Sequence, residues 1–129
     1  MWLLIERSKN KRNSIDIQYH NLICELSSAG KDKVESYAEC WNHIYHNIIS
    51  HPDFLQLAKE LGFSNEHSSY SIFGNWMVAQ GETIYKEYLE SNKSCVLGYI
   101  QTNKFSFDEE NDIEFGGLFN EVFERNIDW

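Results

Sequence analysis

The chain has 129 residues, one proline, 15% aromatic residues and a formal net charge of −9. That length accommodates one domain, spanning residues 1–129 and burying roughly 65–70% of its unfolded surface. The aromatic load excludes a disordered chain, and the acidic balance argues against binding to phosphate backbones.

Apolar residues at Ile15, Tyr19, Leu22, Ile23 and Leu26 recur at helical spacing between Ser14, a good N-cap, and Gly30, a good stop. A second stripe, Val34, Tyr37, Ala38, Trp41, Tyr45, Ile48 and Ile49, predicts a longer helix ended by "SHP", because Pro52 disfavours helix at His51. Pro52 suits the first turn of a third helix, "PDFLQLAKELG", with Phe54, Leu57, Ala58 and Leu61 inward and Gly62 as its stop. The stretch "FSNEHSSY" reads as a polar connector.

Beyond it Phe73, Trp76, Met77, Gln80, Ile84 and Tyr88 continue the helical spacing straight through Gly81. This predicts one long helix, or two halves meeting at a kink, and not a loop that cradles phosphate. "CVLGYI" fits either a short strand or a buried helical turn. "SFDE" reads as a capping box from Ser106 to Glu109, leading towards Phe115, Leu118, Phe119, Val122 and Phe123 on one face. The sum is an all-α or mostly-α bundle of about five to six helices.

Cys24, Cys40 and Cys95 are widely spaced and form no C-x-x-C, which predicts free buried thiols of a reducing, cytoplasmic compartment. The opening "MWLLI" meets Glu6 and Arg7 at once. It is too short for a signal-peptide core and far short of the ~20 residues of a membrane span, so no membrane partner is expected.

Glu39, His43 and His46 share a helix face near Cys40, a geometry conceivable for a metal. The solvated edge of the helix is the better reading, since a closed zinc site needs four ligands and the sequence nominates no such set. There is no H-E-x-x-H, G-x-S-x-G, P-loop or G-x-G-x-x-G, and "DEENDIE" lacks the glycine and ligand spacing of an EF-hand. No cofactor and no catalytic residue is expected.

"WLLIERSK" and "FGNWMVAQGETIYKEYLES" together resemble a family of uncharacterised bacterial domains, some found beside WGR domains. Its members open with an aromatic-x-x-[IL]-[ED]-x-[AS] helix and carry F-R-x-W-[LM]-[IV]-x-[QR]-G-x-x-x-[FY]. Phe73, Trp76, Met77, Val78, Gln80, Gly81 and Tyr85 match the second motif in order. Gly74 stands where the family has Arg, and "SNEHSSY" replaces an acidic, glycine-rich turn. The resemblance implies a helical fold and a bacterial origin, and brings no activity with it. With Trp76 one turn before Gln80 and Gly81, the glycine is expected to let another helix or an aromatic ring approach the backbone.

Charge carries the functional expectation. Residues 1–34 hold six basic and four acidic side chains, residues 35–129 five and sixteen, and from Phe105 to Trp129 eight acids face Arg125 alone. Small acidic bacterial proteins without a catalytic motif are frequently immunity proteins, which neutralise a toxin passed between neighbouring cells by contact-dependent or related delivery. A nuclease toxin must present Lys and Arg to phosphate, so an acidic inhibitor mimics its substrate and is steered to it. The expected surface is Asp108, Glu109, Glu110, Asp112, Glu114, Glu121, Glu124 and Asp128, with Trp129 as an aromatic anchor. The bland alternative is a surface that serves solubility alone. The rival function is a non-catalytic interaction or regulatory module of the uncharacterised family.

Overall fold

A computed structural model describes residues 1–107 and 114–129, and among these there are helices and no strand. Helix α1 (Trp2–Ser8) leads through a turn into α2 (Ile15–Ala29). Ser14 caps α2 as its position predicts. Its Oγ accepts the Ile17 N–H at 3.2 Å, satisfying one of the donors that a helix start leaves unpaired. Gly30, at φ +93°, ends α2 and immediately begins α3 (Lys31–Ile49). From α3, Val34, Trp41, Ile44 and Ile48 enter the core.

Pro52 precedes the next helix and does not form its first turn, as the sequence suggests it would. The His51 carbonyl accepts the Phe54 N–H and the His51 ring accepts the Asp53 N–H, both at 3.1 Å, and this turn delays α4 to Phe54–Glu60. Gly62, at φ +98°, closes it.

The centre of the fold begins inside the stretch that reads as a connector. The Asn65 side chain accepts the Ser68 N–H at 2.7 Å and starts α5 (Glu66–Ser68), a π-helical turn follows over Ser69–Gly74, and α6 (Asn75–Ala79) continues it. Every residue from Ile72 to Gly81 is buried. A helix with no solvent face needs partners for its polar groups on all sides. Gln18 on α2 donates to the Ala79 carbonyl at 2.7 Å, and the Trp41 indole on α3 donates to Asn75 Oδ1 at 2.9 Å.

The two glycines of this segment serve different ends. At Gly74 a Cβ would lie 2.9 Å from Tyr45 Cε2 and 3.1 Å from Ile49 Cγ2, so here an aromatic ring does approach the backbone. Gly81 instead takes φ +106°, and a Cβ on it would meet a Glu6 carboxylate oxygen at 2.5 Å. The helix therefore breaks at Gly81, the kinked form of the two expected, and α7 (Glu82–Leu89) starts there.

"CVLGYI" is helical, within α8 (Lys93–Thr102), where Val96 and Ile100 are buried four residues apart. Asn92 settles the choice by accepting the Cys95 N–H at 3.3 Å as an N-cap. Tyr99 of α8 closes over the central helix, donating to Gln80 Oε1 at 2.8 Å. Burial pushes the Tyr99 phenol up to about 12, with the Glu6 charge adding to the effect.

A 3₁₀ turn at Phe115–Gly117 leads into α9 (Leu118–Arg125), which buries Leu118 and Val122. Ser106 stands outside any helix, and the other end of the expected capping box, Glu109, falls outside the described residues. Helix α9 docks on α2, where Asn126 donates to Ser27 Oγ at 3.0 Å. The all-α class is as the sequence implies. Among the described residues the helical segments outnumber the five to six expected, because Gly81 divides what reads as one helix and because α1 and α5 form where no stripe is legible.

Candidate functional site

Of the acidic residues singled out by sequence, Asp108, Glu109, Glu110 and Asp112 lie outside the described residues. Glu114, Glu124 and Asp128 are exposed. Glu114 accepts from Ser71 Oγ at 3.4 Å, and none of the three has an ion-pair partner among the described residues. Trp129 is half-buried, its ring edge-on to Phe123 at 5.8 Å between centroids, so it is joined to the end of α9.

Glu121 has a second task. It accepts from the Tyr19 hydroxyl of α2 and from Arg125 Nη2, the latter at 2.9 Å. The Tyr19 hydrogen bond, more than the Arg125 charge, holds its carboxyl below the usual carboxylate range. Burial, followed by the same hydrogen bond, raises the Tyr19 phenol. Arg125 thus spends its charge on Glu121, and the remaining carboxylates of this end keep theirs.

A folded-state carboxyl held low contributes stability that is complete above the ordinary carboxylate range and is lost as pH falls through the folded value. Glu121→Gln should therefore flatten part of the acid-side decline of Tm below about pH 5 while lowering Tm at neutral pH. Thermal melts across that range check this. Parallel pH profiles for the two proteins would exclude the role of Glu121.

Beside this acidic end lies a groove of about 360 Å³ between α3 and the start of α9. Trp41 and Phe115 form its buried floor, and Tyr45 and Phe119 stand half-buried at its rim. The Trp41 and Phe119 rings meet edge to face at 5.7 Å. Asn75 reaches it from the central helix, its Oδ1 held by Trp41 and its amide donating to the Ser71 carbonyl at 3.0 Å. Exposed Glu39 and Asn42 complete the α3 side. The close approach of Gly116 to the Asn75 amide, 3.1 Å from where a Cβ would sit, allows the chain to cross there.

Sequence reasoning reaches Trp41, Tyr45, Phe115 and Phe119 only as core residues and passes over Asn75. The available signal is Asn75 itself, an amide inside an apolar run, which must bond to something if buried.

Glu39, Cys40, His43 and His46 are all exposed on α3, and no cluster of three or more His, Cys, Asp or Glu with metal-binding geometry occurs among the described residues. The three cysteines are free but not buried. Cys24 and Cys40 are exposed because α2 and α3 turn their apolar stripes inward and these positions outward, and Cys95, on α8, is half-buried. Among the described residues no helix is long and apolar enough to cross a membrane. No protein-family model, curated protein or solved structure matches the chain.

Proposed function

We propose that this chain is an immunity protein that binds a basic protein toxin, of nuclease type, in the cytoplasm and blocks it without catalysis. The observation that carries the reading is the segregation of charge: eight acidic residues against one arginine from Phe105 to Trp129. Two facts support it. The one arginine is bound to Glu121, and Glu114, Glu124 and Asp128 are exposed. Uncompensated charge of one sign raises the association rate with a basic partner and makes it steeply salt-dependent.

The test is co-expression with basic nuclease toxins, beginning with any encoded in a neighbouring gene, measuring survival and recovery of the pair by pull-down. Survival with a stable complex is the expected result, and death of cells that contain well-folded protein would overturn the reading. Combined Glu114→Lys, Glu124→Lys and Asp128→Lys alters exposed positions only. It should slow association at low salt about tenfold or more and flatten its salt dependence. Unchanged association kinetics would show that this end of the molecule is not the interface.

A further inference from the structure

We infer that the α3–α9 groove is an arginine-binding pocket, the place where the basic partner inserts one guanidinium side chain. The inference rests on the reading of a basic partner and narrows it to a site and a side chain. The acidic surface supplies attraction over distance but no shape. The groove supplies shape. Its 360 Å³ is at the low end of the roughly 300–1,000 Å³ of small-molecule clefts, a size for one long side chain.

Its lining matches a guanidinium in three ways. Three aromatic side chains, Trp41, Tyr45 and Phe119, stand in its lining, and aromatic walls attract a planar cation. Glu39 at the rim is exposed and absent from every ion pair among the described residues, so its carboxylate is available for a charge-assisted bond. Charge is of one sign. No lysine or arginine lines the groove, Glu35 lies one helical turn before Glu39, and Glu114 stands two residues before Gly116.

The same features select arginine over lysine. A guanidinium is planar, stacks on rings and sheds water readily, whereas an ammonium is a strongly hydrated point charge that gains less from an aromatic wall. Asn75 contributes rigidity to the groove. Its Oδ1 is engaged by Trp41 and one amide hydrogen by Ser71, which fixes the floor in one arrangement before any ligand arrives.

The experiment is an NMR titration of the full chain with the peptide acetyl-Gly-Arg-Gly-amide and, separately, with its lysine counterpart. The Trp41 indole N–H and the Asn42 and Asn75 side-chain amides report the groove. The arginine peptide should shift these signals saturably, the lysine peptide should do so several-fold more weakly, and Glu39→Gln should weaken the arginine peptide about fivefold through loss of one charge-assisted contact. Glu39 is exposed and outside the core, so the variant remains folded. Equal responses to both peptides, or shifts around Glu124 and Asp128 that ignore Glu39→Gln, would overturn the pocket and leave only diffuse attraction. The titration needs no toxin. A silent groove in a protein that still protects cells removes the pocket and keeps immunity, whereas a responsive groove in a protein that never protects removes immunity and keeps the pocket.

Discussion

Trp76→Ala is expected to cost about 3–5 kcal/mol of folding stability, the range for truncating a buried aromatic side chain. Trp76 is 1% exposed at the middle of the buried helix. Its ring stacks on Phe73 at 5.8 Å and meets Phe105 and Phe107 edge-on at 5.2 and 5.1 Å. Truncation would leave a cavity between these rings, of which Phe73 is fully buried on the central segment and cannot follow the lost side chain. For a domain with about 5–15 kcal/mol in total, that loss brings the native state close to its limit.

Trp76→Phe sharpens the same test. Among the described residues the buried Trp76 indole N–H has no hydrogen-bond partner, unlike that of Trp41, which is held by Asn75. An unpaired buried donor costs roughly 1–3 kcal/mol in lost hydration. Removing it offsets much of the packing lost with the smaller ring, so Trp76→Phe should cost less than about 1.5 kcal/mol. Chemical denaturation of both variants decides the matter. If phenylalanine proves as damaging as alanine, the N–H has a partner and the packing account is incomplete.

The second large effect is at Gly81. Alanine there must adopt φ +106°, a conformation that L side chains rarely take, at a cost of about 1–3 kcal/mol. Its Cβ would also meet Glu6 Oε1 at 2.5 Å, and that carboxylate is the mobile end of an exposed side chain. The two contributions can be separated. Glu6→Ala combined with Gly81→Ala should recover the part due to crowding and leave the backbone part, since the Glu6 pair with Lys9 at 3.0 Å is exposed and worth at most about 1 kcal/mol. Full recovery in the double variant would mean that backbone strain contributes nothing.

These positions also mark how far the sequence could be read. The stripes of α2, α3 and α4 were legible because each helix buries one face and leaves the other in water, so 3.6-residue periodicity survives in the sequence. Phe73, Trp76, Met77 and Gln80 were legible as inward for the same reason, and all four are buried. Periodicity failed where the helix loses its outer face. Asn75, Val78 and Ala79 lie off the stripe yet are as buried as those on it, and a buried asparagine looks like a surface residue until its partners are known. The π turn left no signal because its first residues, Ser69 and Tyr70, belong to a serine-rich stretch that reads as connector. The acidic end was legible as charge, but not the division of labour within it. That Glu121 serves Tyr19 and Arg125 while Glu124 faces solvent depends on the angle at which α9 meets α2.

The docking of α9 on α2 sets a timetable for the nascent chain. Tyr19 and Glu121 are 102 residues apart, and Asn126 and Ser27 are 99 apart. A ribosome adding about 5–20 residues each second takes roughly 5–20 s to make that span. Throughout that interval the face of α2 on which α9 docks lacks this cover, and it is open to chaperones. The same helix that carries Glu121 and Glu124 therefore supplies the missing cover of α2, and the described part of the acidic end takes its place only once α9 has been made.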